Sequence, residues 1–218
     1  MKYTKDDIRK AMLLYAVTDR MWLHEGESLC DVVERVLQNG ATFLQIREKD
    51  LEPEAFETEA ARLKTLCAAY HVPFVVNDSV EIALDIDADG VHVGQSDIKG
   101  RDILEMIGTD KILGISAGTV EEAQAAERAG ADYIGVGAVF GTSTKKNART
   151  MTVECLREIA ESVTIPVVAI GGIGAGNIAQ LAGSGVDGVA VVSAIFAAED
   201  PGKATAELLG KAKELVHG

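Results

Sequence analysis

The sequence predicts one α/β domain, residues 1–218, folded as a closed (β/α)8 barrel (a TIM barrel) with a short helix ahead of its first strand. About eight short apolar segments alternate with amphipathic ones, and the apolar segments lack the two-residue alternation of half-solvated strands. Strands of that kind are buried on both faces, as in parallel sheets. A similar junction recurs where a helix runs into a strand, at residues 40–42, 88–90, 130–132 and 185–187.

The elements can be placed in order. A capping box at residues 4–7 predicts a short helix that reaches Met12. Strands are expected at residues 13–18, 42–47, 73–77, 90–93, 111–116, 133–136, 166–170 and 188–192. Helices are expected at residues 28–37, 53–70, 102–107 and 153–162, and from residues 79, 119, 177 and 203 onward. A doubly wound open sheet is the alternative, but it is disfavoured because no G-x-G-x-x-G follows the first strand and no Walker motif occurs.

Length and charge narrow the class of protein. A chain of 218 residues permits one large domain or two small ones, and the lack of any linker or low-complexity segment favours one. The net charge of −13 argues against nucleic acid and anionic membranes as partners. Three cysteines without a Cys-x-x-Cys pair indicate a reducing compartment, and neither a signal peptide nor a spanning segment is recognisable. We therefore expect a cytoplasmic protein with small-molecule partners, for which a homo-oligomer is possible.

The second predicted strand ends in three polar residues that share one face, Gln45, Arg47 and Lys49. A planar guanidinium beside a mobile ammonium suits an anion clamp. The alternative is an exposed edge strand with solvated charges. A closed barrel disfavours that alternative because it has no edge.

Further polar residues follow other strands, where the active sites of such barrels lie. Asn77 and Asp78 follow the third strand, Asp97 follows the fourth, and Ser116 ends the fifth. Two carboxylates from adjacent strands suit Mg²⁺ shared with substrate phosphates, whereas the plainer interpretation is that each caps a helix. His92 is expected to pack or hydrogen-bond within its strand.

Two stretches suit a second phosphate. Gly171, Gly172, Gly174 and Gly176 follow the seventh strand, and Val192 and Ser193 follow the eighth. This location commonly binds phosphate through backbone N–H groups, although tight turns alone also use glycine. The loop containing Thr142, Ser143, Thr144 and Lys145 suits an anion-binding lid or, alternatively, an ordinary surface loop. With no nucleophile arrangement recognisable, these features favour pyrophosphate departure or binding of phosphorylated sugars.

Taken in order, these stretches resemble the thiamine phosphate synthase family over nearly the whole chain. The stretches that carry the resemblance are Gln45-Ile46-Arg47-Glu48-Lys49, Asn77-Asp78, residues 90–97, residues 114–117, Thr142-Ser143-Thr144-Lys145 and residues 170–173. That family joins 4-amino-2-methyl-5-hydroxymethylpyrimidine diphosphate to a thiazole phosphate and releases pyrophosphate. The resemblance implies a dissociative mechanism assisted by Mg²⁺, in which the protein supplies electrostatics and alignment.

The resemblance also implies roles for single residues. The pyrimidine diphosphate would contact Gln45, Ile46, Arg47, Glu48, Lys49, Asn77, Ser116 and Lys145. Of these, Arg47, Lys49, Ser116 and Lys145 would assist catalysis. Mg²⁺ would bind Asp78 and Asp97. The thiazole phosphate would contact Thr142, Ser143, Thr144, Gly172, Val192 and Ser193.

Two other functions compete with this interpretation. A thiazole tautomerase of the same fold is expected to use a histidine near the fifth strand, where this chain has Gly118. A non-catalytic barrel that senses a phosphorylated ligand would not need both anion sites. Gly118, together with Ala138 and Gly141 in the loop after the sixth strand, departs from residues common in the family, which affects loop geometry more than the implied ligands.

Overall fold

Eight parallel strands close into a barrel in sequence order in the computed structural model, which describes residues 3–97, 101–141 and 150–218. The first strand pairs with the second and also with the eighth, which closes the barrel. The strands are β1 (Leu14–Val17), β2 (Phe43–Ile46), β3 (Phe74–Asn77), β4 (Gly90–Val93), β5 (Ile112–Ala117), β6 (Tyr133–Gly137), β7 (Val167–Ile170) and β8 (Gly188–Val191). The predicted (β/α)8 fold is therefore confirmed.

Helices connect the strands and surround the barrel. They are α1 (Lys5–Ala11), α2 (Leu29–Gln38), α3 (Pro53–Ala69), α4 (Val80–Asp85), α5 (Ile103–Ile107), α6 (Val120–Arg128), α7 (Val153–Glu161), α8 (Ser193–Phe196) and α9 (Pro201–His217). The capping box predicted for α1 is present, because the Thr4 and Asp7 side chains bond each other's backbone N–H. Among the helices described, none is both long and apolar enough to cross a membrane.

The strands bury both faces, as their sequences predict. Outward side chains such as Leu44 and Val76 join the layer between strands and helices. Inward side chains such as Tyr15, Phe43 and Tyr133 fill the barrel, with aromatic centroids 4.5–5.8 Å apart. Burial on both sides is the reason that the strand sequences show no apolar–polar alternation.

The recurring helix-to-strand junctions have a shared structural role. Each lies just before an even-numbered strand, and its polar side chain accepts the N–H of the first or second residue of the preceding strand. The four bonds run from Leu14 to Thr42 (2.8 Å), Phe74 to Asp89 (3.0 Å), Leu113 to Asp132 (2.8 Å) and Val167 to Asp187 (2.8 Å). We call these four acceptors the junction ring. It satisfies strand N–H groups at the N-terminal end of the barrel and repeats every two βα units.

Helix α1 covers that same end of the barrel. Ile8 of this helix and Met12, which caps its C-terminal end, are buried in the inner core. Arg9 on its polar face donates to Asp187 of the junction ring and to the Thr164 carbonyl (2.7 Å). The Tyr3 hydroxyl donates to a second ring member, Asp89, at 3.4 Å. The short N-terminal helix predicted from the sequence thus closes the end of the barrel opposite the strand exits.

Three short elements differ from the sequence-based expectation. The helix expected from residue 177 is a 3₁₀ turn, Ile178–Leu181, and a second 3₁₀ turn, Arg20–Trp22, follows β1. Val192 was expected within the eighth strand, but it lies beyond it and precedes the four-residue helix α8. Segments this short carry too few residues for a helical apolar period to be recognised.

Replacement of Asp187 by alanine tests the junction ring. Asp187→Ala leaves the Val167 N–H and the Arg9 guanidinium without their acceptor, so we expect unfolding free energy to fall by about 1–3 kcal/mol. Urea denaturation measures this loss. Glu207→Ala on the exposed face of α9 is the control and should change stability little. Equal stabilities of the two variants would contradict a structural role for the ring.

Candidate active site

The three polar residues of β2 and the loop after it line one side of the strand exits at increasing depth. Gln45 is buried inside the barrel, with 4% of its surface exposed, whereas Arg47 is partly buried and Lys49 is exposed. Phe43, on the same face, belongs to the inner core. The buried end of this face, at Gln45, is therefore uncharged, and its more exposed end, at Arg47 and Lys49, is cationic. We call these two ends the floor and the rim of the site. The exposed edge strand considered as an alternative is excluded because β2 pairs with strands on both sides.

Contacts from the end of β1 fix the position of Arg47. The Arg47 N–H donates to the Thr18 hydroxyl (3.0 Å), and the Thr18 N–H donates to the Gln45 carbonyl (2.9 Å). The Arg47 guanidinium also lies 3.9 Å from the Asp19 carboxylate. Sequence reasoning assigned no role to Asp19, although a polar residue directly after the first strand was the available signal.

Two residues expected to contact substrate have side chains that point elsewhere. Ile46 is fully buried between the barrel and its helices. The Glu48 carboxylate, 2% exposed, accepts from Arg20 Nε at 2.8 and 2.9 Å. Burial raises the pKa of Glu48, and the Arg20 charge opposes that shift. Glu48 therefore anchors the loop, and the predicted substrate contacts of Ile46 and Glu48 stay predictions that fall to their backbone atoms.

The two aspartates expected to bind metal lie together at the exits of β3 and β4. Asp78 has a left-handed backbone (φ 62°), and its N–H donates to the His92 carbonyl (2.8 Å). Asp97 accepts the Gly94 N–H at 2.9 Å. Ser79 and Asp102, rather than these aspartates, cap the following helices. The alternative interpretation of Asp78 and Asp97 as helix caps is therefore wrong.

Among the rim residues that the structure describes, carboxylates outnumber cations. Partial desolvation and the Asp97 carboxylate raise the pKa of Asp78, whereas the Asn77 amide (2.6 Å) and Lys49 lower it. The residues just described contribute the cations Arg47 and Lys49 against the carboxylates of Asp19, Asp78 and Asp97. A diphosphate placed here would meet excess negative charge unless a cation accompanied it.

The donor set fits Mg²⁺. Within residues 3–97, 101–141 and 150–218, no group of three or more His, Cys, Asp or Glu side chains could enclose a metal ion. Mg²⁺ is commonly held by one or two carboxylates together with substrate phosphates and water. Asp78 and Asp97 match that pattern, and their mutual repulsion would be relieved by a cation between them.

A second candidate site lies across the rim, at the exits of β7 and β8. A cavity of about 490 Å³ is lined mainly by small residues, among them Gly172, Gly174 and Ser193. Asn177 braces its wall by accepting the Gly174 N–H and donating to the Gly172 carbonyl, each at 2.8 Å. Gly172 has φ 65°, and a Cβ there would lie 2.4 Å from the Gly141 carbonyl oxygen. Glycine at position 172 therefore lets two backbone segments pack closely at the cavity wall, and the cavity itself has the volume for a phosphate-sized group.

The remaining predicted residues divide into two groups. Ser116 lies at the end of β5, where its hydroxyl contacts His92 Nε2 (3.0 Å) and its carbonyl accepts from Gln95 (2.6 Å). His92 hydrogen-bonds within the barrel, as expected. The loop residues Thr142, Ser143, Thr144 and Lys145 lie outside the described residues, so their predicted contacts stay predictions.

A barrel that carries charged groups and a glycine-lined cavity at its strand exits is the architecture of phosphate-binding (β/α)8 enzymes. The sequence model of the family described as thiamine monophosphate synthase matches residues 14–195. The chain belongs to that family, which makes it a transferase of thiamine biosynthesis.

Similar proteins agree over most of the chain. The thiamine-phosphate synthase of Clostridium tetani is 45% identical over 90% of this chain and 94% of its own length. That of Ruminiclostridium cellulolyticum is 48% identical over 90% and 92%. Among solved structures, a thiamine phosphate pyrophosphorylase from Pyrococcus furiosus is 41% identical and superposes with a TM-score of 0.87, covering 97% of this chain and 100% of that one.

Replacement of Arg20 tests the anchor of the β2 loop. Arg20→Met leaves the Glu48 carboxylate buried without its partner, so we expect a loss of about 2–3 kcal/mol at pH 7.5. Without Arg20, the pKa of Glu48 in the folded protein should rise further above its ordinary value. The loss of stability should therefore be full at pH values above this pKa, where Glu48 is charged. It should shrink as the pH falls through this pKa, because Glu48 then takes up a proton. Urea denaturation at pH 7.5 and pH 5 measures both effects.

The matched control for this test is Arg35→Met. Arg35 pairs with Glu27 on the surface, so its removal should cost less than about 1 kcal/mol with little pH dependence. A pH-independent loss in Arg20→Met would contradict the assignment of Glu48 as the unpaired group.

Proposed function

We propose that this chain joins 4-amino-2-methyl-5-hydroxymethylpyrimidine diphosphate to 4-methyl-5-(2-phosphoethyl)thiazole, or its carboxylated form, with release of pyrophosphate. The observation that carries the proposal is the proximity of the Asp78 and Asp97 carboxylates to each other, with Lys49 near Asp78 and Arg47 just after the neighbouring strand β2. Such a cluster suits a diphosphate that arrives with a divalent cation. The family of the chain and its similar proteins agree with this reaction.

The rim residues would act mainly on the leaving group. Arg47, whose backbone N–H donates to Thr18 and whose guanidinium lies near Asp19, offers a planar fork, and Lys49 offers a mobile positive charge. Both stabilise the negative charge that grows on pyrophosphate as the carbon–oxygen bond breaks. Mg²⁺, held by Asp78 and Asp97, would supply further charge stabilisation on the diphosphate oxygens. Lys145 is assigned the same role by family resemblance.

The neutral floor suits the pyrimidine ring. Gln45 and Ser116 are uncharged, lie deeper than the rim cations, and offer amide and hydroxyl groups to ring nitrogens and the exocyclic amine. Asn77 lies at the same strand exits, with its amide on Asp78. The ring therefore sits inside the barrel mouth while its diphosphate reaches outward to the charges.

The glycine-lined cavity suits the phosphate of the thiazole substrate. The backbone around Gly172 and the residues Val192 and Ser193 at the start of α8 would hold it, with Thr142, Ser143 and Thr144 assigned by resemblance. The two sites then place the thiazole nitrogen against the pyrimidine methylene carbon as pyrophosphate departs, so the protein contributes alignment rather than a nucleophile. The tautomerase alternative is disfavoured because Gly118 has no side chain to act in place of the expected histidine, and its N–H already donates to Glu122 (2.7 Å).

A coupled assay tests the reaction directly. The purified protein with both substrates and Mg²⁺ should form thiamine phosphate and pyrophosphate in equal amounts. Chelation by EDTA should abolish turnover, and added Mg²⁺ should restore it, since the described rim carries more carboxylates than cations. Product formed equally fast in EDTA would contradict the metal assignment, and no product under any condition would contradict the reaction.

A conservative replacement of Asp97 separates metal binding from folding. Asp97→Asn keeps an oxygen that can accept the Gly94 N–H but loses the charge, so turnover should fall by more than about 100-fold while the melting temperature changes little. Steady-state kinetics and thermal unfolding measure the two quantities. Asp102→Asn, at the start of α5, is the matched control and should retain wild-type kinetics. Unchanged kinetics in Asp97→Asn would remove Asp97 from the metal site.

A further inference from the structure

Five polar side chains form a continuous hydrogen-bonded chain through the inside of the barrel. Gln45 Nε2 lies 2.5 Å from the Tyr15 hydroxyl, which lies 2.8 Å from the Tyr133 hydroxyl. The Tyr133 hydroxyl lies 3.0 Å from His92 Nδ1, and His92 Nε2 lies 3.0 Å from the Ser116 hydroxyl. The two ends of the chain are therefore Gln45 and Ser116, the residues assigned to the neutral floor of the site.

This polar chain is built into the barrel. The insides of such barrels are normally filled by branched aliphatic residues, and buried polar groups are costly unless they are fully bonded. Tyr15 and Tyr133 are 1% and 0% exposed, and His92 is 8% exposed. A Cβ at Gly114 would lie 2.2 Å from Cζ of Tyr133 and 2.6 Å from Nδ1 of His92. Glycine on the inner face of β5 thus makes room for the central bond.

The hydrogen bonds along this chain of side chains all run in one donor-to-acceptor direction. Burial raises the pKa of both tyrosines far above neutrality, so each keeps one hydroxyl hydrogen to donate. Because Gln45 donates to Tyr15, Tyr15 donates to Tyr133, and Tyr133 donates to His92 Nδ1. His92 then carries its hydrogen on Nε2 and donates it to the Ser116 oxygen. The Ser116 hydroxyl hydrogen is left to point toward a ligand, and Gln45 Oε1 is left as an acceptor.

The two ends therefore have opposite polarity. If the Gln45 amide turned over, every bond along the chain would reverse, and Ser116 would offer a lone pair in place of its hydrogen. A change at one end thus requires the matching change at the other. An aminopyrimidine has the complementary pattern, because its exocyclic amine donates and its ring nitrogen accepts.

We propose that Tyr15, Tyr133 and His92 are positioning residues that fix the donor and acceptor polarity of Gln45 and Ser116. The hydrogen-bonded chain formed by these five side chains thereby selects the aminopyrimidine ring of the substrate. The inference rests on the proposed function for the identity of that ring. It assigns the recognition of the ring to the barrel interior and the recognition of the diphosphate to the rim. The three positioning residues touch no substrate and act through Gln45 and Ser116, the two ends of the hydrogen-bonded chain.

The first test concerns the direction of the hydrogen bonds between these side chains and needs no substrate. Nitrogen-15 NMR of histidine-labelled protein should show His92 as one tautomer, with hydrogen on Nε2. Tyr133→Phe should shift the Nδ1 resonance of His92, because its donor is lost, whereas Tyr70→Phe should leave it unchanged. Tyr70 is the matched control because its hydroxyl bonds Gln38 and Glu34 on the outer helices. Hydrogen on Nδ1 in the wild type, or no shift in Tyr133→Phe, would overturn the proposal even in an active enzyme.

The second test separates positioning from general damage. In Tyr133→Phe and Tyr15→Phe, the KM for the pyrimidine diphosphate should rise by about 10- to 100-fold, the cost of misaligned hydrogen bonds. The KM for the thiazole phosphate and the dissociation constant of pyrophosphate with Mg²⁺ should stay at wild-type values. The double variant should resemble either single one, because one break interrupts the whole chain.

The outcomes distinguish this inference from the proposed function. Equal weakening of all three ligands would show a structural role and overturn the inference while leaving the reaction intact. Unchanged kinetics in both variants would overturn it as well. An inactive wild-type protein would refute the proposed function, and the tautomer measurement would then still decide whether the directed chain exists.

Discussion

The junction ring of Thr42, Asp89, Asp132 and Asp187 holds the strand register on which the rest of the structure depends. Each member accepts the N–H of the first or second residue of the preceding strand, at the N-terminal end of the barrel. A shift of one residue along any strand would exchange its inner and outer faces. Gln45, His92 and Ser116 would then leave the interior, so acceptors at one end of the barrel determine which side chains meet at the other.

The proposed reaction brings two anionic substrates to a protein of net charge −13. The candidate site separates its charged side chains, which lie at the rim beside the candidate metal site, from an uncharged floor formed by Gln45 and Ser116. In the proposed function, the carboxylates of the described rim would repel a bare diphosphate, so affinity would depend on the accompanying cation. The second phosphate would meet backbone N–H groups and small residues, which need no charged side chain.

The sequence predicted the features that depend on local pattern. The strand bounds agree within about two residues, the shared face of Gln45, Arg47 and Lys49 follows from strand periodicity, and Asp78 and Asp97 were expected at adjacent exits. The left-handed backbone of Asp78 was not predictable, because nothing in the residues around it requires it. The recurring junctions were visible as a pattern, but their hydrogen bonds required the strand pairing.

Long-range contacts mark the limit of sequence reasoning. The bond between Tyr15 and Tyr133 joins residues 118 positions apart, and neither residue was assigned a role from the sequence. Glu48 was grouped with its neighbours by motif, whereas its partner Arg20 lies 28 positions away. The first bond crosses the barrel interior between β1 and β6, which are not neighbours, and the second joins the segments that follow the neighbouring strands β1 and β2. Neither relation can be read from residue order.

Helix α1 has a practical consequence for how the protein can be attached to other materials. It covers the end of the barrel opposite the strand exits and is fixed there by Arg9 and by the buried side chains of Ile8 and Met12. A linker that enters ahead of α1 therefore reaches the protein on the side away from both anion sites. Coupling through that side to a bead or an electrode would orient the substrate entrance toward bulk solution.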